Sequence, residues 1–252
     1  TDAQDQTAKQ VADVEDLIAR RVDYILLAPR EYEGLAPALD AARDANIPVI
    51  LVDREAEGTP GEDFVTFLGS NFVEQGRRAA EWLVQETGGR AGIVELTGTP
   101  GSSVAADRAR GFREVIDQHP GMRILASQTG EFSRAAGQRV MQNIAQSLGR
   151  QITAVYAHND EMALGAIQAL KSSGLNPGTD VKVVSIDGQR AALEAIIRGE
   201  LGATVESNPR FGPIAFDTIE ELRRGEQVPT KKLITDRFFD RTNAEQYLAD
   251  AY

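Results

Sequence analysis

An α/β protein built on parallel sheets is the fold class this sequence predicts, and three observations carry that expectation. Short runs rich in Val and Ile, each about the length of a strand, recur along the chain. Between them lie segments whose apolar residues fall at spacings of three and four. Several runs are apolar throughout, as strands covered by helices on both faces must be, and then stop abruptly at polar side chains. IPVILVDR closes on Asp53 and Arg54, AVYAHND on Asn159 and Asp160, and VVSIDG on Asp187. In open parallel sheets ligands bind beyond the carboxyl ends of the strands, where these side chains are expected to stand. Carboxylates, an amide and a guanidinium gathered there suit a small polyhydroxylated molecule.

In chain order, the pattern from Asp5 is helical, with Val11, Val14, Leu17 and Ile18 on one face. VDYILLAP reads as a strand stopped by Pro29, and GLAPALDAARDAN as a helix carrying Leu35, Leu39 and Ala42 on one side. IPVILVDR and FVTFLGS are the next strands. Asn71 then opens a long helix through GRRAAEWLVQETGG, stopped by Gly88-Gly89, with Trp82 as core packing. A second series follows: strand AGIVELTG, helix AADRARGFREVIDQHP ended by Pro120, strand MRILASQTG, helix RAAGQRVMQNIAQSL and strand AVYAHND. Next come helix EMALGAIQALKSSG ending at Gly174, strand VKVVSIDG, helix QRAALEAIIRGE and strand LGATVES. Helix GPIAFDTIEELRRGE and a single final strand, KKLITDRFFDRT, complete the chain. Such alternation predicts parallel sheets with right-handed crossovers.

The alternation divides near Gly88 to Arg90, which predicts two similar α/β domains. The first half is one strand–helix unit short of the second and enters a helix directly after Thr1-Asp2-Ala3. A parallel-sheet domain without its first strand and helix would leave apolar surface bare, so the chain reads as truncated ahead of Thr1.

Composition narrows the function classes. Thirty-eight acidic against 27 basic residues give a net charge of −11, against nucleic-acid binding, which needs clustered Lys and Arg. No cysteine is present, so there is no disulfide framework, thiolate metal site or cysteine nucleophile. His119 and His158 lie far apart without metal-ligand spacing, and no metal or cofactor is implied. No apolar stretch approaches the roughly 20 residues that span a membrane, and no signal peptide is visible. No G-x-S-x-G elbow or H-E-x-x-H occurs, and nothing forms a catalytic set. Asp53 and Asp187 as a glycosidase pair would be the enzyme alternative, but the neighbouring Asn, Arg and Phe suit static recognition better.

Each candidate binding residue has a local argument. Asp53 and Arg54 follow ILV without a turn residue; the carboxylate accepts hydroxyls and the guanidinium donates in a fixed fork. Arg108 lies just past the GTPGSS loop after strand AGIVELTG, a loop that lacks the Gly-Lys-Ser/Thr of a P-loop. Asp160 is the better N-cap for the helix that follows it, leaving Asn159 to donate and accept at once. Asp187 closes VVSI in the same setting as Asp53. Phe132, in a strand-to-helix loop, either covers the C–H face of a sugar or acts as a hydrophobic staple. Glu206, Ser207 and Asn208 end an apolar segment ahead of Pro209, where they are expected to line the crossing between domains, with Glu206 a candidate ligand contact.

QVADVEDLIARRVDYILLAP, IPVILVDR, DRARGF, VYAHNDEMALGAIQALK, VVSIDG and ATVESNP, in that order over essentially the whole chain, resemble the periplasmic sugar-binding proteins of the ribose-binding type. Within that family VELTGTPGSSVAADRARGF and SQTGEFSRAAG are most similar to the galactofuranose-binding receptors of ABC importers. The resemblance implies two Rossmann-like domains joined by a three-stranded hinge, spanning 1–90 plus 208–233 and 91–207 plus 234–252. It places Asp53, Arg54, Arg108, Phe132, Asn159 and Asp187 where family members contact sugar. Where the family often has Gln or Asn before its last hinge crossing, this chain has Ser207, with Glu206 beside it. The implied function is an extracytoplasmic, non-enzymatic receptor that closes its two lobes on a monosaccharide, galactofuranose-like or another aldose. It would act as a monomer, deliver the sugar to an ABC permease and need no cofactor. Its place would be the periplasm, or the membrane exterior in a bacterium with one membrane. The alternative is the effector-binding core of a lactose-repressor-type transcription regulator, which shares this fold.

Overall fold

The computed structural model describes residues 1–252. The chain begins with α1 (Thr7–Ala19), β1 (Ile25–Leu27), α2 (Ala36–Asp44), β2 (Val49–Val52), β3 (Thr66–Ser70) and α3 (Phe72–Thr87). It continues through β4 (Ala91–Thr97), α4 (Ser103–Ile116), β5 (Met122–Thr129), α5 (Arg134–Leu148), β6 (Ala154–Ala157), α6 (Asp160–Ser172) and β7 (Lys182–Asp187). It ends with α7 (Arg190–Ile197), β8 (Ala203–Glu206), α8 (Gly212–Arg223), β9 (Lys231–Ile234), β10 (Phe238–Asp240) and α9 (Ala244–Tyr247). This is the α/β alternation expected from the sequence.

The chain forms two compact units. Thr1–Asn71, Gly101–Val104 and Pro209–Thr235 make the first. Its sheet has the order β1-β2-β3-β9, and every pairing is parallel. Ile50 and Leu68 are fully buried on this sheet and pack with Ala215 of α8, with Ile214, Ile219 and Leu222 around them.

Phe72–Pro100, Ala105–Asn208 and Asp236–Tyr252 make the second unit. Its sheet runs β10-β8-β7-β6-β4-β5, parallel except for β10, which is antiparallel to β8. Successive strand residues point to opposite faces, and both faces are covered. Ile93, Tyr156, Val184 and Val205 meet Ala80 and Leu83 of α3 and Phe112 and Ile116 of α4. Val94, Val155 and Val183 meet Met141 and Ile144 of α5, Ala166 of α6 and Leu193 of α7. Burial on both faces is why these strands read as unbroken apolar runs.

Domain and strand boundaries differ from the sequence expectation, and Gly101–Val104, expected in the second domain, falls in the first unit. Residues 72–90 were expected with the first domain, but α3 packs against β7 and β8 and falls in the second unit. Its side toward α4 is a tight seam: a Cβ on Gly76 would lie 2.2 Å from the carbonyl oxygen of Arg108, and one on Gly111 1.8 Å from that of Val73. KKLITDRFFDRT was expected as one strand and is two, because β9 pairs with β3 in the first unit and β10 with β8 in the second.

Candidate functional site

In the second unit the chain runs from β4 through α4 to β5 on one side, then through α5 to β6 on the other side of β4. The strand order thus reverses between β4 and β6, and a doubly wound sheet opens its crevice at such a point. Arg108 on α4, Phe132 after β5, His158 and Asn159 after β6, Asp187 at the end of β7 and Glu206 at the end of β8 all belong to this carboxyl edge.

Arg108 is the centre of the cluster and only 3 % exposed. Its Nε donates to Oε1 of Gln75 (3.0 Å) and its Nη1 to the carbonyl of His158 (2.6 Å). Nη2 stands 3.6 Å from Oδ1 of Asp187, an ion pair just beyond hydrogen-bond length. The guanidinium carbon lies 5.6 Å from the Phe72 ring centroid and 6.0 Å from that of Phe132, within cation–π range. Phe132 adopts φ +58° after Glu131 at +53°, and its ring lies where a side chain on Gly98 would be.

Asp187 combines a charged side chain with a strained backbone, its φ of +138° being rare for a residue with a side chain. The strain is held by partners. Its carbonyl accepts from Ser207 N (2.9 Å) and the Tyr252 hydroxyl (2.9 Å), and its Oδ2 accepts from Gln189 Nε2 (3.2 Å).

The capping role expected of Asp160 falls to Asn159. Asn159 is the N-cap of α6: its backbone is extended, its Oδ1 accepts from Met162 N (3.0 Å), and its Nδ2 donates to the Phe132 carbonyl (3.1 Å). Asp160 is fully buried beneath the sheet edge. It accepts from the hydroxyls of Ser185 and Thr204 and from Gln189 N (2.8 Å), so it anchors the turn that carries Asp187. Burial pushes its carboxyl up to about 6, against the pull of those hydrogen bonds.

Glu206 already has a partner inside the protein. Arg237 holds it with Nε (2.8 Å), Nη2 (2.6 Å) and its backbone N–H (3.1 Å). Burial acts to raise the carboxyl, but these bonds outweigh it and keep it below the usual range.

Beneath the cluster lies a buried group that the sequence reading did not assemble. Glu95, on β4, pairs with His158 Nε2 (3.2 Å), Ser127 Oγ (2.6 Å) and Arg113. Burial lowers the His158 pKa, so the imidazole is neutral near pH 7. Burial acts to raise the Glu95 carboxyl, and His158, Ser127 and Arg113 bring it below its ordinary value.

Asp53 and Arg54 belong to the first unit, at the end of β2. Asp53 adopts φ +66° and donates its N–H to the Leu68 carbonyl (2.9 Å). Arg54 donates Nη1 to the Arg30 carbonyl (3.0 Å), with its Nε 3.7 Å from Asp53 Oδ2. Both line a cavity of about 360 Å³ within that unit, together with Gln10, Ala28, Pro29 and Arg30.

The family described as periplasmic binding protein domain matches residues 1–227. The chain belongs to this family. It is 39% identical over 237 residues to the galactofuranose-binding protein YtfQ of Escherichia coli (strain K12), covering 93% of this chain and 74% of that protein. It is 37% identical over 228 residues to the ribose import binding protein RbsB of Bacillus subtilis (strain 168), covering 90% and 72%. The solved periplasmic binding component of the arabinose ABC transporter from Shewanella sp. ANA-3, bound to α- and β-L-arabinofuranose, superposes with a TM-score of 0.95 at 40% identity. That match covers 99% of this chain and 83% of the other. These relatives are binding proteins, and no helix of this chain is long and apolar enough to cross a membrane.

Proposed function

We propose that this protein is an extracytoplasmic receptor that binds a monosaccharide in its furanose form and delivers it to an ABC permease. The observation that carries the reading is Arg108: a buried guanidinium paired with Asp187 at 3.6 Å and flanked by the Phe72 and Phe132 rings. Charged groups donate to and accept from hydroxyls in fixed directions, while aromatic faces cover C–H surface. The furanose preference is supported by two relatives, one named for galactofuranose and one holding arabinofuranose.

In this reading Arg108, Asp187, Asn159 and Phe132 contact the sugar, and Asp53 and Arg54 are further contacts. Glu206 braces the end of β8 through Arg237 rather than meeting ligand. Solute binding drives closure by its greater affinity for the closed form. The receptor works as a monomer in the periplasm, or at the outer membrane face of a one-membrane bacterium, and binds no nucleic acid.

Calorimetry with methyl furanosides and methyl pyranosides of arabinose and galactose tests the proposal, because the methyl glycosides cannot change ring form. Saturable binding of a furanoside, with a raised melting temperature, is the expected result. Equal or tighter binding of the pyranosides would remove the furanose assignment. No binding of any sugar would remove the receptor reading.

A further inference from the structure

Gln75 is a polar residue that nothing in the sequence pattern singles out, yet it is only 1 % exposed and points into the second unit from α3. Both ends of its amide are engaged. Oε1 accepts from Arg108 Nε (3.0 Å), and Nε2 donates both to the Glu206 carbonyl (3.2 Å) and to Asp236 Oδ2 (2.8 Å).

The three partners differ in kind. Arg108 is the guanidinium of the candidate site. Glu206 lies just before the chain leaves the second unit at Pro209, and Asp236 is the first residue after it returns. Gln75 itself stands one turn into α3, which starts where the chain first enters that unit at Phe72. One helical turn further, Arg78 Nη1 donates to the Asp236 carbonyl (2.8 Å). The close seam at Gly76 and Gly111 is what brings α3 near enough to α4 for the bond to Arg108.

Only an amide meets all three demands together. Arg108 requires an acceptor, while the Glu206 carbonyl and the Asp236 carboxylate each require a donor. A carboxylate in this position would oppose Asp236 and satisfy neither acceptor, and an apolar side chain would satisfy none of the three.

We propose that Gln75 is a positioning residue for solute binding: its amide sets the orientation of the Arg108 guanidinium and ties it to the chain passages at Glu206 and Asp236. The inference rests on Arg108 contacting the sugar. A solute that engages Arg108 thereby acts, through one buried side chain, on the backbone where the chain changes units.

The test is calorimetry of the wild type, Gln75→Leu, Gln75→Glu and Arg108→Lys with the furanoside that binds best, at pH 8 and pH 5, beside thermal melts. Gln75→Leu should lose about tenfold or more in affinity at both pH values, as expected for a lost hydrogen bond to a charged group. Gln75→Glu should lose as much at pH 8 and recover most of it at pH 5. There the protonated side chain regains a donor and no longer repels Asp236; the charged groups around it include Arg108, Arg78 on the Asp236 carbonyl and the Glu206–Arg237 pair. Arg108→Lys should bind poorly at both. Wild-type affinity in both Gln75 variants, with Arg108→Lys impaired, would overturn the positioning role and leave the receptor reading intact. Loss of affinity that follows the melting temperature, without recovery in Gln75→Glu at pH 5, would overturn it as well. Normal binding by Arg108→Lys would remove the contact on which the inference stands.

Discussion

Gly76→Ala adds one methyl group to the seam between α3 and α4 and should weaken both the fold and the site. The new Cβ would stand 2.2 Å from the Arg108 carbonyl oxygen and 2.9 Å from Phe112 N. Both are backbone atoms, so neither can swing aside as a flexible side chain would. Ordinary van der Waals contact begins at 3.4 Å, and the helices must part by about 1 Å to reach it. Overpacking of a close-packed interior costs about 1–3 kcal/mol. Alanine regains about 1 kcal/mol of helix propensity, which leaves a net loss of up to about 2 kcal/mol. At about 2–4 °C per kcal/mol for a chain of this size, that lowers the melting temperature by up to about 8 °C. The same separation stretches the 3.0 Å bond from Arg108 Nε to Gln75, so sugar affinity should fall with it. Differential scanning fluorimetry and calorimetry on one preparation measure both effects. Gly212→Ala is the control, since its Cβ meets nothing within 4 Å and should leave both unchanged. A Gly76→Ala protein that melts at or above the wild-type temperature and binds equally well would refute the packing argument.

Further outcomes follow from individual side chains. Phe112 is fully buried and stacks on Tyr156 with centroids 3.9 Å apart, so Phe112→Ala should cost about 3–5 kcal/mol in urea denaturation; a loss below about 1 kcal/mol would contradict the stack's contribution. Asp160 has its pKa raised by burial from 3.8 to about 6, so its folded form holds the proton more tightly than the unfolded chain. Its contribution is therefore complete below pH 3.8 and disappears as pH rises through about 6, a difference of about 3 kcal/mol. Wild-type stability measured against Asp160→Asn should fall across that window, and a flat difference would place the carboxyl's pKa near its unfolded value. Asp187→Ala should abolish measurable sugar binding while changing stability by no more than about 1–2 kcal/mol; unchanged affinity would take Asp187 out of the site.

Secondary-structure order and most strand ends were legible in the sequence because they depend on neighbours within a few residues. Apolar spacing along α3 or the unbroken run of β6 is a local property, and burial on both faces of the sheet writes it directly into the chain. Asp53, Asn159 and Asp187 were visible for the same reason, as polar residues ending apolar runs. What tertiary structure alone decided is which polar group meets which. Asn159 and Asp160 are adjacent in sequence, but the second is drawn to Ser185, Thr204 and Gln189, hydroxyls and an amide that only the order of β6, β7 and β8 brings beneath it. Glu206 is matched by Arg237, the residue just before β10, a strand that pairs antiparallel at the sheet's edge, and the run containing β10 looked continuous with β9 until the two entered different sheets. Gln75 reads as one more polar residue on a helix, since its partners Glu206 and Asp236 stand 131 and 161 positions away. Periodicity records how much of a residue is buried and on which side. It carries no information about a hydrogen bond whose two ends are brought together only when the sheet is assembled.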